Sequence, residues 1–208
     1  MEEKIYDYDK IADNIFAPIY PDIAKVMVER TGIRSGRLLD IGCGPGHMGF
    51  AVMDLGDFTA DFCDINPQAV EIARRRVPER GYEGKVTVHT ADVHALPFPD
   101  STFDLIVSRS SMPFWDDQCR AFTELYRVLR PEGWAYIGGG LGGRKYIERI
   151  EKLKESRACG IRTGPRKNSK ALRNEEYREL FEKLGCPYQV IENSDEGRWF
   201  LFGKRGTI

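Results

Sequence analysis

The chain has 208 residues, of which 41% are hydrophobic and 30% are charged, a composition typical of one soluble globular domain. Its 31 basic and 32 acidic residues leave a net charge of -1, which gives no sign of a nucleic-acid or membrane partner. The 5 cysteines are an odd number without a CxxC pair, which argues against a disulfide framework and against a metal site. Because the N-terminus is also charged and lacks an apolar core, we expect a cytoplasmic protein.

Helix and strand patterns alternate along most of the chain. An N-terminal helical region, which we expect to break near Pro18 and Pro21, ends at Gly32. The elements predicted after it are strand 37–41, helix 46–55, strand 58–64, helix 67–76, strand 85–89, strand 102–108, helix 116–129 and strand 134–137. Strands that alternate with helices in this way predict right-handed βαβ units on a mostly parallel sheet, a doubly wound α/β fold.

The C-terminal part has a different pattern. A helix over 175–184 is followed by strands 188–192 and 198–202, whose short connection predicts an antiparallel hairpin at one edge of the sheet. The segment 156–173 has no clear period and carries several basic residues, so it is either a solvated loop or a mobile lid that attracts an anionic substrate. The glycine run 138–143 offers either space for a substrate or a flexible hinge.

A glycine-rich loop follows the first predicted strand. The sequence LLDIGCGPG, over 38–46, ends a strand and opens a helix. Gly42 and Gly44 allow a sharp turn and close approach of a ligand, since no Cβ intervenes, and the helix N-terminus beyond offers unpaired N–H groups. The stretch 44–49 also satisfies the GxGxxG pattern of dinucleotide sites. Counted from the end of the strand, however, the third fingerprint position falls on His47, which is neither Gly nor Ala.

Acidic residues stand at or just after the ends of three successive predicted strands. Asp40 suits an ammonium group better than a pyrophosphate, although it is also able to cap the turn after it. Asp64 is placed to accept hydrogen bonds from ribose hydroxyls and Ile65 to cover one face of an adenine, unless Asp64 only marks a helix start. Asp92 and the Val93 N–H group are placed to bind the adenine edge, unless Asp92 is only an N-cap.

Together these motifs resemble the class I S-adenosylmethionine (SAM)-dependent methyltransferases. The resemblance is strongest to the group that includes quinone-biosynthesis C-methyltransferases and many small-molecule methyltransferases. The segments that carry it are LLDIGCGPG (38–46), Asp64, ADV (91–93), LPF (96–98), FDLIV (103–107) and RVLRPEG (127–133). The chain departs from many relatives after the fourth strand, where 108–115 contain no histidine and no Asn/Asp-Pro-Pro-aromatic motif.

The resemblance implies a Rossmann-like, seven-stranded, mostly parallel sheet whose last strand is antiparallel. It also implies that SAM binds at the glycine loop and leaves as S-adenosylhomocysteine (SAH). The residues expected to bind the cofactor are Asp40, Gly42, Cys43 and Gly44 at the methionine end, Asp64 at the ribose, Ile65, Asp92 and Val93 at the adenine, Ser108 on the sulfonium side, and Tyr20 from the N-terminal helices.

Few residues point to the methyl acceptor. Arg109 follows the fourth strand and is placed to grip a carboxylate or a phosphate, or else to pair with an acid in 116–117. His47 is a candidate base, with a surface histidine as the alternative. Tyr8 is expected to border the substrate entrance, unless it is packed or exposed. The aromatic pair 114–115 either walls an apolar pocket or belongs to the core.

We therefore expect one domain over residues 1–208, with an N-terminal helical cover (1–35), a SAM-binding half (36–140) and a C-terminal half (141–208). The expected reaction is in-line transfer of the SAM methyl group to a small-molecule acceptor. No obligatory catalytic dyad is expected, because orientation supplies much of the rate in such a displacement. The alternatives are an NAD(P)-dependent oxidoreductase and a non-catalytic SAM-binding protein.

Overall fold

The structure is a computed structural model that describes residues 13, 16–155 and 172–204. In this part of the chain seven strands form one sheet. They are β1 (Ser35–Ile41), β2 (Asp57–Asp64), β3 (Val86–Thr90), β4 (Phe103–Arg109), β5 (Leu129–Gly139), β6 (Tyr188–Asn193) and β7 (Gly197–Gly203). The strand order is β3-β2-β1-β4-β5-β7-β6. Strands β1 to β5 pair in parallel and β7 pairs antiparallel with β5 and β6, which confirms the predicted fold class.

Helices cover both faces of the sheet. They are α1 (Ile19–Thr31), α2 (His47–Met53), α3 (Pro67–Glu79), α4 (Gln118–Val128), α5 (Arg144–Glu155) and α6 (Asn174–Leu184). Successive side chains of a strand point to opposite faces, so Leu38 joins the apolar core under α1 and α2. Its neighbour Leu39 joins the core under α4 and α6. These two cores hold the strands of the sheet between two layers of helix.

Helix α1 begins directly after Pro18. Pro21 lies in its first turn, where a backbone N–H has no partner inside the helix, so the predicted interruption at Pro21 is wrong. Gly32 ends the helix in the left-handed conformation, with a φ of 69°, and its N–H donates to the carbonyl of Val28, as expected for a glycine C-cap.

Strand β5 begins earlier than predicted. The sequence PEG over 131–133, which stands just before the predicted strand 134–137, is a bulge within the observed strand. Strand β4 pairs Phe103 with Leu129 and then Leu105 with Trp134, so the residues between them loop out of the ladder. A bulge of this kind places extra residues in one strand while leaving the strand continuous.

The predicted C-terminal hairpin is formed by β6 and β7, and it lies against the glycine-rich end of β5. A Cβ on Gly138 would come within 2.2 Å of the Arg198 carbonyl oxygen, and one on Gly140 within 1.8 Å of the Glu196 carbonyl oxygen. Close packing against the hairpin, rather than a hinge or room for a substrate, therefore accounts for these two glycines.

Two further features of the C-terminal part bear on the sequence expectations. Helix α5 was not predicted. Residues 156–171 of the basic segment, which was predicted as a loop or a lid, lie outside the described residues. Among the helices that the structure describes, none is both long and apolar enough to cross a bilayer.

Candidate cofactor site

A cavity of about 630 Å³ opens at the carboxyl ends of the parallel strands. This edge is where open α/β sheets bind their ligands, and the volume lies within the ~300–1,000 Å³ of small-molecule and cofactor sites. The sequence-predicted residues that line the cavity are Tyr20, Asp40, Gly42, Cys43, Gly44, His47, Asp64, Ile65, Asp92, Val93 and Arg109. The topology thus brings together residues that are far apart in the sequence.

The glycine loop turns sharply over the end of β1. Gly42 and Gly44 have φ angles of 66° and 52°, a region that favours glycine. A Cβ on Gly42 would also lie 2.2 Å from the Cβ of Ser111, so the loop packs closely against the segment after β4. Cys43 is buried in the loop, where burial raises the pKa of its thiol, and Asp40 and Asp64 add to the effect. A raised pKa keeps the thiol protonated near neutral pH, the form in which a cysteine is a poor nucleophile.

Asp40 is a buried carboxylate with one unsatisfied oxygen. Its side chain is only 1% exposed. Oδ2 accepts a hydrogen bond from the Gly49 N–H at 2.8 Å, whereas Oδ1 has no partner among the described residues. Burial, with a smaller contribution from the charge of Asp64, raises the pKa of Asp40 to about 7. Because its bond reaches into α2, the alternative in which Asp40 caps the turn after β1 is wrong.

Asp64 joins the ends of β1 and β2. Its Oδ2 accepts from the Gly44 N–H at 2.8 Å and its Oδ1 from the Asn66 N–H at 2.9 Å. Asn66 in turn caps α3 through the Gln68 N–H. Each carboxylate oxygen has a further lone pair, so this role in the turn leaves capacity for hydroxyl donors. The neighbouring Ile65 is 68% exposed at the cavity, an unusual place for a large apolar side chain.

Asp92 is held as an ionised group after β3. Its Oδ1 accepts hydrogen bonds from the backbone N–H of His94 at 2.9 Å and from its Nδ1 at 2.6 Å. The backbone bond from His94 is the main reason why the pKa of Asp92 is lowered. The Val93 side chain is buried, and its backbone N–H donates to no acceptor within the described ranges. Asp92 therefore stabilises its own turn and still presents a charged edge to the cavity.

The segment after β4 differs from the prediction at Ser108. The side chain of Ser108 is fully buried and does not line the cavity, so the prediction that it faces the sulfonium side is wrong. Its Oγ lies 2.5 Å from the Oγ of Ser111. Ser108 is buried inside β4. Ser110 and Ser111 come after the end of the strand and line the cavity in its place. These two were missed, although their position just after a strand end was a usable signal.

Arg109 is fixed over two aromatic rings. Its guanidinium lies 5.3 Å from the ring centre of Phe16 and 5.1 Å from that of Tyr20, and Nη2 donates to the Gly140 carbonyl at 3.1 Å. Such stacking is favourable for a planar guanidinium. The alternative in which Arg109 pairs with an acid in 116–117 is not formed.

His47 is enclosed and not a surface residue. Its ring stacks on Tyr20 with 5.0 Å between centroids, and Arg76 donates to its Nε2 at 2.8 Å. Burial and the charge of Arg76 lower the pKa of His47 to about 4, so the ring is neutral near pH 7. With its Nε2 lone pair engaged and a low pKa, His47 is a weak candidate for a general base. Tyr8 lies outside the described residues.

The two aromatic residues after β4, Phe114 and Trp115, were expected either to wall an apolar pocket or to belong to the core, and their environments differ. Trp115 is buried in the core with Phe122, at 5.7 Å between ring centroids, and also reaches the cavity wall. Phe114 is 59% exposed at the cavity rim. The cavity wall after β4 therefore combines these two aromatic side chains with the polar residues Ser110, Ser111 and Asp116.

These features fit the cofactor that the sequence implies. An ammonium group in the cavity would satisfy Asp40 Oδ1, directly or through one bridging water. An adenine ring would cover Ile65, whose exposure otherwise has no favourable contact. The sheet order, the glycine loop and the acids at the strand ends define the class of protein: the chain belongs to the class I SAM-dependent methyltransferases, a family of enzymes whose cofactor is SAM and whose cofactor product is SAH.

The comparisons with known proteins agree with this class. Residues 39–137 match the methyltransferase-domain family. A crystal structure of a Methanococcus maripaludis protein assigned to the SAM-dependent methyltransferases is 32% identical and aligns over 99% of this chain and 94% of its own, with a TM-score of 0.82.

Among curated proteins, the ubiquinone/menaquinone biosynthesis C-methyltransferase UbiE of Teredinibacter turnerae is 33% identical over 129 residues. That alignment covers 61% of this chain and 52% of the relative. The demethylmenaquinone methyltransferase of Symbiobacterium thermophilum is 31% identical over 138 residues, with 61% and 54% covered. The chain thus spans about half the length of the curated relatives it matches.

Proposed function

We propose that the protein transfers the methyl group of SAM to a small-molecule acceptor within the cavity at the carboxyl ends of β1, β2 and β4. The observation that carries the proposal is the convergence of Asp40, Asp64 and Asp92 on this one cavity. Three acids suit a ligand with an ammonium, a ribose diol and an adenine amino group, and they would repel a pyrophosphate. An NAD(P)-dependent oxidoreductase is therefore not favoured.

Each residue has a distinct part in binding. Asp40 takes the ammonium, Asp64 accepts hydrogen bonds from the ribose hydroxyls, and Asp92 accepts one from the adenine amino group while the Val93 N–H donates to the ring. Ile65 covers one face of that ring. Gly42, Cys43 and Gly44 provide the close backbone wall, and Tyr20 covers the site from α1.

The chain contributes mainly orientation to the reaction. SAM supplies a methyl group already activated on a sulfonium, which is transferred by in-line displacement. Holding two reactants in line is worth up to ~7–11 kcal/mol of the barrier, more than a general base adds. Arg109 and Tyr8 remain proposed acceptor-side residues, and the single domain over 1–208 with its three parts remains a prediction.

Calorimetric titration tests cofactor binding. The wild-type protein should bind SAH at micromolar concentrations and should not bind NADH. Asp64→Ala should weaken SAH binding at least tenfold, because a charge-assisted contact is worth ~1.5–3 kcal/mol. Asp57→Ala, at the other end of the same strand and highly exposed, is the matched control and should leave the affinity unchanged. No SAH binding by the wild type below millimolar concentration would overturn the proposal.

Methyl transfer itself needs a second assay. The protein is incubated with methyl-labelled SAM and a small-molecule extract, and the label is followed into a new product. Wild-type protein should label a product that Asp64→Ala labels much more slowly. SAH binding without any labelled product would favour a non-catalytic SAM-binding protein instead.

A further inference from the structure

His94 lies in the cavity wall next to Asp92, and both of its ring nitrogens are hydrogen-bonded. Nδ1 lies 2.6 Å from Asp92 Oδ1, and the backbone N–H of Asp117 donates to Nε2 at 3.2 Å. A backbone N–H is only a donor, so Nε2 carries no hydrogen. Because a neutral imidazole has one N–H group, the hydrogen is on Nδ1 and is donated to the Asp92 carboxylate. The contact with Asp117 thus sets the tautomer of His94.

The start of α4 also holds the backbone of His94. Asp117 is the N-cap of this helix, where its side chain accepts from the Arg120 N–H. The Nε of Arg120 donates to the His94 carbonyl at 2.9 Å. The imidazole side chain is only 16% exposed, whereas that of Asp92 is 48% exposed. A half-exposed carboxylate is therefore hydrogen-bonded to a ring whose position the helix fixes.

The contacts with His94 use only one oxygen of Asp92. Oδ1 accepts from both the ring and the backbone N–H of His94, and no residue in the described part of the chain donates to Oδ2. With Oδ1 fixed, Oδ2 is left in one orientation for a donor on a ligand in the cavity. An acceptor held in one place distinguishes a ligand with an amino group from one without it, since the second ligand would leave the acceptor unpaired.

We propose that His94 is a positioning residue that fixes Asp92 for the adenine amino group and so makes the site selective for a 6-aminopurine cofactor. The inference rests on the proposed function, because it assumes that Asp92 binds the adenine. An aspartate–histidine pair is elsewhere a general base, but both nitrogens of this ring are engaged. His94 therefore has no lone pair ready to take a proton from the methyl acceptor.

The test compares two ligands that differ at one group of the base. SAH carries the adenine amino group, and its 6-deamino analogue has a hydrogen there instead. Their affinities are measured by calorimetry for the wild type and for two variants, His94→Gln and His94→Asn. Thermal unfolding checks that each variant is folded.

The two variants separate the two hydrogen bonds of the ring. The amide of Gln reaches the place of Nε2, so it retains an acceptor for the Asp117 N–H and removes the donor from Asp92. The amide of Asn reaches the place of Nδ1 and retains the donor to Asp92. His89→Gln is the matched control, because His89 forms the same kind of pair with Asp61, at 2.7 Å, outside the cavity.

The expected change is a loss of preference between the ligands. The wild type should prefer SAH over the 6-deamino analogue by about tenfold. His94→Gln should reduce this preference roughly threefold, because Asp92 must then give up side-chain freedom when it binds the amino group. His94→Asn should keep the preference of the wild type, and His89→Gln should change neither affinity.

A measurement on the wild type needs no variant. Nitrogen-15 NMR of labelled histidine distinguishes the two neutral tautomers. The ring of His94 should carry its hydrogen on Nδ1 both without and with SAH. A hydrogen on Nε2 would overturn the proposal, since that nitrogen would then be unable to accept from Asp117.

Several binding results would overturn the proposal while leaving methyl transfer from SAM intact. Equal weakening of both ligands in His94→Gln would show that the ring only supports the fold. An unchanged preference in His94→Gln, or the same loss in His94→Asn, would show that donation from Nδ1 does not matter. Equal binding of both ligands by the wild type would show that Asp92 does not contact the amino group. A wild type that binds no SAH would instead overturn the proposed function itself.

Discussion

The carboxylate of Asp64 accepts a hydrogen bond from the backbone N–H of Gly44 at 2.8 Å, which fixes the glycine loop after β1 to the end of β2. The second oxygen of the same carboxylate accepts from the Asn66 N–H at 2.9 Å and orders the start of α3. One side chain thus positions two neighbouring elements of the site before any ligand binds. The residue proposed to take the ribose is therefore also part of the framework, and its replacements should affect both stability and binding.

Asp64→Asn should lower the free energy of unfolding by about 1 kcal/mol. The amide has only one oxygen, and its NH₂ group cannot accept a bond, so one of the two backbone N–H groups loses its partner. Denaturant unfolding of the variant and of wild type measures the difference, with Asp57→Asn as the exposed control. Equal stability of Asp64→Asn and wild type would contradict the double role of Asp64.

Gly49→Ala should destabilise the protein by about 1–3 kcal/mol through overpacking, despite the better helix propensity of alanine. A Cβ on Gly49 would lie 2.3 Å from the Phe62 ring and 2.9 Å from Asp40 Oδ2. If the ring is the obstacle, the double variant Gly49→Ala/Phe62→Leu should lose less stability than the sum of the single variants. Additive losses in this double-mutant cycle would show that the ring is not the cause.

The affinity for SAH should rise with pH up to about 7 and then level off. The pKa of Asp40 is raised to about 7 in the ligand-free protein, so below that pH the carboxyl is protonated and must lose its proton to bind an ammonium. Affinity should therefore climb by nearly tenfold per pH unit between about pH 5.5 and 6.5. Asp40→Asn should bind more weakly and show a flat profile. A flat profile in wild type would contradict the contact.

Ile65→Ser should weaken SAH binding about fivefold, close to 1 kcal/mol, without lowering the melting temperature. The side chain is 68% exposed, so the fold gains little from it, whereas a bound adenine would bury it. Val190→Ser, at an exposed apolar position on β6 outside the cavity, is the control and should leave affinity unchanged. A loss of stability with unchanged affinity would mean that Ile65 packs within the protein and not on the ligand.

The sequence predicted those parts of the site that depend on strand ends. Asp40, Asp64 and Asp92 each lie at or just after the end of a strand, and parallel strands bring their carboxyl ends to one edge, so their convergence followed from local pattern alone.

Features that depend on contacts between distant segments were not predictable in this way. The choice of Ser111 over Ser108 for the cavity wall depends on where β4 ends, and strand boundaries are poorly defined by sequence. The stacking of Arg109 on Phe16 and Tyr20 joins residues about ninety positions apart. The glycines at the end of β5 serve the approach of the hairpin, which no local pattern reveals.

A crystal structure of the protein with SAH bound tests the central claim most directly. The account predicts SAH in the cavity after β1, with its ammonium at Asp40, its ribose hydroxyls at Asp64 and its adenine between Ile65 and Asp92. Density for SAH at another place, or in this cavity with the three carboxylates turned away from it, would contradict the account.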